Sequence, residues 1–224
     1  MSLVANVQRS ITYSVMPFRS FAAKRLEDAT LDLAAFFKAE FAEHHDVARR
    51  SEAALSNTFA ELVRACAKSI RGGGKLMFFG NGGSAADAQH LATELTVRYK
   101  RDRVSIAAIA LTTDTSALTA AANDLGFERV FSRQIEALGK PGDVAIGIST
   151  SGKSMNVIAA LKQARSMRLV TAAFTGQGGS ELSSLTDHLL AVPSATTARI
   201  QEMHITLGQM LCGGLEVELG LARE

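Results

Sequence analysis

The sequence predicts an α/β protein, a doubly wound parallel sheet sandwiched between helices, with extra helices on its N-terminal side and one more at its C-terminus. Two observations carry that prediction. Short uninterrupted apolar runs alternate with helix-length stretches, the pattern of a parallel sheet buried on both faces. Two of those runs also end directly in glycine-rich or hydroxyl-rich turns, the place where an open α/β sheet puts its ligand.

The elements follow in order. Before the first acidic residue, Glu27, the chain carries Arg9, Arg19, Lys24 and Arg25 among several serines. That composition is shared by transit peptides and by loosely docked extensions. It lacks the apolar stretch and cleavage site of a secretion signal, and Met16 offers a second start. Residues 1–27 are read as an N-terminal extension without fixed structure, and 28–224 as one domain. From Asp28 to Ile70, Leu31, Leu33, Phe36, Phe37 and Phe41 mark one helical stripe, and Leu55, Phe59, Leu62, Val63 and Cys66 a second. Arg71-Gly72-Gly73-Gly74 stops it.

Strands are expected at Lys75 to Phe79, Ile106 to Leu111, Asp143 to Ile148 and Leu169 to Phe174, with a weaker fifth at His188 to Val192. Between them lie helix-length stretches at Ser84 to Tyr99, Ser116 to Leu138, Ser154 to Met167 and Gly179 to Leu185, and Thr197 to Leu221 closes the chain. The leading and closing helices hold more apolar surface than one sandwich covers, which points to a homo-oligomer.

Composition narrows the function. With Lys+Arg 24 against Asp+Glu 22, the net charge of +2 provides no footprint for nucleic acid. No apolar stretch is long enough to cross a bilayer. Cys66 and Cys212 form no CxxC and no disulfide framework, as suits core thiols in a reducing, cytoplasmic compartment.

Three groups of residues carry chemistry. After the first strand, Gly80-Asn81-Gly82-Gly83-Ser84 lets a ligand approach the backbone while Asn81 and Ser84 offer hydrogen bonds. The same string also suits a plain tight turn with a serine cap. After the third strand, Ser149-Thr150-Ser151-Gly152-Lys153-Ser154 places more hydroxyls at a helix N-terminus than one cap requires, as a phosphate site would. His90 and Glu94, four apart on one helix face, suit proton transfer, metal ligation or a solvated pair.

These strings resemble the phosphoheptose isomerases, a family of SIS-domain proteins with a flavodoxin-like fold. The resemblance rests on Gly80 to His90 with Glu94, Ala121-Ala122-Asn123-Asp124, Phe131-Ser132-Arg133-Gln134, the Ser149 to Ser154 loop, and Arg199-Ile200-Gln201-Glu202-Met203-His204. It implies that Asn81, Gly82, Gly83, Ser84, Asn123, Asp124 and Gln201 contact substrate and that Ser149, Thr150, Ser151 and Ser154 hold its phosphate. It also implies that Glu94 is the base, and that His90, Glu94 and Gln201 ligate one Zn²⁺ per subunit. The implied reaction converts sedoheptulose 7-phosphate to a glycero-manno-heptose 7-phosphate through an enediol, for lipopolysaccharide or related glycans, in a homotetramer.

One position departs from the family. Eight residues after Gln201 the family carries a histidine that is both acid and zinc ligand, and this chain has Gln209. A carboxamide cannot serve as an acid near neutral pH and ligates zinc poorly. His204 stands about 140° around an ideal helix from Gln209, so it is no substitute. Gln209 also matches a non-enzymatic branch that binds the replication initiator DnaA. That branch loses the glutamate at the position of Glu94, whereas this chain keeps it. A sugar-phosphate-sensing regulatory SIS protein is the third reading, since a fold alone does not decide function.

Overall fold

The computed structural model describes residues 32–221. The chain divides into two units, Met1–Glu40 and Phe41–Glu224. The expected extension, residues 1–27, lies outside the described residues. Where description begins, Ala34 N–H and Ala35 N–H donate to Asp32 Oδ1 at 3.0 and 3.1 Å. The first helix follows directly.

That helix, α1, runs Leu33–Arg71 as one 39-residue element, where the sequence suggested two helical segments. No glycine or proline interrupts it, and its polar middle is braced by Arg50 Nε donating to Asp46 Oδ2 at 2.8 Å. Its buried stripe is Val47, Leu55, Leu62, Val63, Cys66 and Ala67. Gly73, at φ 78°, takes the chain out of the helix.

The rest alternates strands and helices: β1 (Leu76–Gly80), α2 (Gly83–Thr96), β2 (Ala108–Ala110), α3 (Thr115–Leu125), α4 (Ser132–Leu138), β3 (Val144–Ser149), α5 (Met155–Ser166), β4 (Val170–Gly176), β5 (His188–Val192) and α6 (Thr197–Glu218). The strands are all parallel, in the order β2-β1-β3-β4-β5. The stretch expected to be one helix from Ser116 to Leu138 is broken by Gly126 at φ 92°, a left-handed conformation that favours glycine. The stretch from Gly179 to Leu185 forms only a 3₁₀ turn at Ser180–Leu182.

Alternation along the strands builds two cores. Leu76, Phe78, Ile146 and Phe174 face α1, α2 and α6, while Met77, Phe79, Ala145 and Ala173 face α4 and α5. Because both faces are covered, β1 and β3 are buried throughout. β5 is half exposed, as befits an edge.

The order of strands reverses at β1, which pairs with β2 on one side and β3 on the other. Gly80 and Ile148, near the carboxyl ends of β1 and β3, are register partners, so the loops that follow leave the sheet side by side. A crevice at such a switch point is where this architecture binds ligands.

Candidate active site

The β1–α2 loop contains Asn81 and Gly82, and α2 begins at Gly83 and Ser84. Gly82 has φ 57°, a left-handed conformation that turns the chain at once into the helix. The β3–α5 loop holds Ser149, Thr150, Ser151 and Ser154. Neither α2 nor α5 has a side-chain cap, whereas in α3 Ala117 N–H donates to the carboxylate of Asp114 at 2.9 Å. The Ser154 hydroxyl sits instead 3.0 Å from that of Ser149, and Ser151 Oγ accepts from Lys153 N–H at 3.2 Å. Two helix N-termini therefore open side by side, with their N–H groups and a cluster of hydroxyls available to an anion.

An amide pair joins the loops. Asn81 Nδ2 donates to Asn156 Oδ1 at 2.8 Å, and Asn156 Nδ2 donates back to Asn81 Oδ1 at 2.8 Å. Sequence reading passed over Asn156, which stands two residues beyond Ser154 on a helix whose neighbouring Val157 and Leu161 are core.

About two turns into α2, His90 Nε2 lies 2.9 Å from Glu94 Oε1. The carboxylate is mostly buried and the imidazole half exposed, at 19% and 51% side-chain exposure, so Glu94 is held in place while His90 still reaches solvent. Gln209, on α6, brings its carboxamide nitrogen 2.7 Å from the same His90 Nε2. A protonated Nε2 that donates to Glu94 cannot also accept from an N–H. With the carboxamide turned so that its oxygen faces the ring, one Nε2–H serves both Glu94 and Gln209. α6 reaches α2 because of Gly208, where a Cβ would stand 2.5 Å from Leu91 Cδ1. Gln201, two turns before Gln209, lies against the first glycine loop, where a Cβ on Gly83 would overlap its carboxamide.

Arg103 completes the support for this helix pair. Its guanidinium donates to the backbone carbonyls of Glu94 at 2.7 Å and Leu95 at 2.8 Å, and to Glu216 Oε1 on α6 at 2.9 Å. Sequence analysis gave no signal for it. Asn123 and Asp124 stand exposed on α3, where Asn123 Nδ2 donates to Asp124 Oδ1 at 2.7 Å. No hydrogen bond joins them to the His90–Glu94 pair among the described residues. Asp124 instead borders a cavity of about 610 Å³ with Arg133 and Gln134. Gln134 ties α4 to the end of the second strand segment by donating to Leu111 O at 2.9 Å.

The side chains expected to hold zinc, His90, Glu94, Gln201 and Gln209, are one imidazole, one carboxylate and two carboxamides. Among the described residues no cluster of three His, Cys, Asp or Glu side chains could hold a metal. Zinc favours imidazole and thiolate and takes carboxamide oxygen poorly, so this set does not fit it. Burial pushes the Cys66 thiol up and Cys212 to about 12, as expected of core thiols, and lowers buried His204 to about 4. Asp87, one turn before His90 on α2, is raised by desolvation, with His90 opposing.

Comparison with known proteins supplies the family context. The SIS domain family matches residues 41–176. A phosphoheptose isomerase from Paramagnetospirillum magneticum is 57% identical over 186 residues, spanning 83% of this chain and 97% of that protein. One from Campylobacter jejuni is 53% identical over 173 residues, 77% of this chain and 92% of that protein. Among solved structures, a phosphoheptose isomerase from Neisseria gonorrhoeae superposes with a TM-score of 0.78 at 44% identity, covering 83% of this chain and 99% of that one.

Proposed function

The chain belongs to the phosphoheptose isomerase family of SIS-domain proteins, sugar-phosphate isomerases of heptose biosynthesis, and on that premise we propose that it interconverts sedoheptulose 7-phosphate and D-glycero-D-manno-heptose 7-phosphate. The observation that carries the reading is the meeting of three features at one switch point: an open hydroxyl-lined helix N-terminus, a glycine loop beside it, and a His90–Glu94 pair about two turns further along α2.

Ser149, Thr150, Ser151 and Ser154 hold the phosphate, with N–H groups at the start of α5 neutralising its charge. Asn81, Gly82, Gly83, Ser84 and Gln201 line up the sugar's oxygens, and Asn123 with Asp124 contact its far end. Glu94 removes the carbon-bound proton at C1 of the ketose while the C2 carbonyl oxygen gains one, giving the enediol. Loss of the O1 proton and return of a proton to C2 then gives the aldose. His90, hydrogen-bonded to Glu94, fixes the carboxylate's orientation.

Position 209 is where a proton donor to the carbonyl oxygen is expected, and a carboxamide there can donate a hydrogen bond but no proton. A positioned acid contributes about 10²–10⁴-fold, so turnover in this chain is slow while sugar-phosphate binding survives. No step depends on zinc, because the side chains present do not fit it. The functional unit is a cytoplasmic homotetramer, a reading supported by exposed Phe41, Met210 and Val217 on α1 and α6. No described helix is long and apolar enough to cross a membrane.

Gln209 also favours one other reading, a non-catalytic protein that binds DnaA. Turnover of sedoheptulose 7-phosphate by the purified chain and by Gln209→His decides between them. The isomerase reading expects slow turnover that rises in the histidine variant. A variant that stays inert while the chain binds DnaA tightly replaces that reading with the second.

A further inference from the structure

The geometry points to Asn156 as a positioning residue, one that sets which edge of the Asn81 carboxamide faces the substrate. The inference rests on the isomerase reading above and adds a residue to its machinery. Asn156 is only 3% exposed, at the second position of α5, and its carboxamide reaches out of the phosphate loop's own helix to the glycine loop. Asn81 is half-buried at the crevice. Of the two partners, Asn156 is therefore the anchored one and Asn81 the one that is held.

The pairing is reciprocal, with both hydrogen bonds at 2.8 Å. Each amide uses one N–H and one carbonyl lone pair on the other, so Asn81 cannot rotate without breaking both bonds. One N–H and one lone pair of Asn81 remain for a ligand, in a fixed order around the amide plane. On the Asn156 side, which is 3% exposed, water does not readily replace a lost partner, and this stiffens the orientation.

The loop's own backbone bonds, Ser84 N–H to Asn81 O and Ala85 N–H to Gly82 O, both at 3.0 Å, tie it to α2 but not to the phosphate loop. Gly80 packs so closely that a Cβ would lie 2.7 Å from Ile148 O and 2.8 Å from Ser84 Cβ, so the two loops touch at their roots. Beyond that root Gly82 turns at φ 57° with open space where a Cβ would be. Between the root and the turn, the Asn156 bonds supply the cross-link. The helix that receives the phosphate thereby also sets the group that receives a sugar oxygen, and one binding event aligns both ends of the substrate.

The test compares the parent with Asn156→Ala, Asn81→Ala, the double variant and Asn156→Asp. Binding of inorganic phosphate and of sedoheptulose 7-phosphate is measured by calorimetry, and turnover at saturating substrate. Inorganic phosphate should bind all of them within about twofold, because the hydroxyl loop is untouched. Sugar-phosphate affinity should fall about tenfold in each single variant and no further in the double, since the two residues act as one unit. Turnover should fall about 10- to 100-fold, the scale of a small misplacement.

Asn156→Asp gives a readout that a merely structural residue would not. An ionised carboxylate repels Asn81 Oδ1, whereas a protonated one restores a donor and an acceptor. The ratio of variant to parent sugar-phosphate affinity should therefore rise as pH falls. Asn156→Ala with parental affinity and turnover overturns the inference, as does an equal loss of inorganic phosphate and sugar phosphate. A parent that binds sugar phosphate without turning it over defeats the isomerase reading alone, and the affinity comparison still decides the role of Asn156. A parent that binds no sugar phosphate defeats both.

Discussion

Replacing His204 by leucine should flatten the acid side of the stability profile. His204 is fully buried on α6 beside the Phe174 ring, with centroids 6.0 Å apart, and no side chain hydrogen-bonds either ring nitrogen. Burial lowers its pKa from 6.5 to about 4, partly opposed by the Thr175 backbone. The depressed value means that between these two pH values the unfolded chain binds a proton and the native chain does not. Stability is therefore unaffected near pH 7, falls as the pH drops through 6.5, and levels off below about 4. At about 1.4 kcal/mol per pH unit the full effect is about 3 kcal/mol, a large share of a marginal domain stability. Urea unfolding of parent and His204→Leu at fixed protein concentration, at several pH values from 7 to 4, measures it. The leucine variant carries its own packing cost at every pH, so the test is the difference between the two curves. That difference should change by about 3 kcal/mol toward acid in favour of the variant. Parallel curves would show that His204 takes up its proton in the folded state, and would refute the assignment of a neutral, structural histidine.

Three further outcomes follow from other contacts. Gly83→Ala places a methyl on the Gln201 carboxamide, the far end of a flexible side chain; sugar-phosphate affinity should drop about tenfold, about 1.4 kcal/mol, while the thermal midpoint hardly moves. Arg103→Met strands Glu216, whose side chain is 5% exposed, and should cost about 3–5 kcal/mol in urea unfolding. Adding Glu216→Leu should recover most of that loss, because the uncompensated charge is gone. Sedimentation at micromolar concentration should give a tetramer, and a monodisperse monomer would contradict the reading of exposed Phe41, Met210 and Val217.

The parts of this protein legible in its sequence are those with short-range signatures. Continuous apolar runs predicted the buried strands, because a strand covered on both faces cannot show polar alternation. The hydroxyl turn stood out because its composition exceeds what a helix cap needs, whereas the glycine turn by itself also suited a plain tight turn. Helix continuity was not legible: the polar middle of α1 resembles a break, and only the absence of glycine and proline argued otherwise. In the opposite sense, Gly126 divides a stretch whose apolar content suggested one helix, since its positive φ outweighs propensity. At the site, His90 and Glu94 follow from helical spacing. The approach of Gln209 to His90 and of Asn156 to Asn81 depends on packing between elements 119 and 75 residues apart, which no local pattern encodes. Arg103 was illegible for the same reason: a loop arginine between Asp102 and Val104 looks solvated until α2 and α6 enclose it.

Catalysis by Glu94 through an enediol is tested most directly by isotope exchange in D₂O. The chain is incubated with sedoheptulose 7-phosphate long enough to offset slow turnover, and carbon-bound deuterium in product and recovered substrate is read by mass spectrometry. Glu94 acting as base predicts deuterium on carbon with the parent, more of it per unit time with Gln209→His, and none above the enzyme-free background with Glu94→Gln. Isomerisation or exchange that persists at the parent's rate in Glu94→Gln would contradict it.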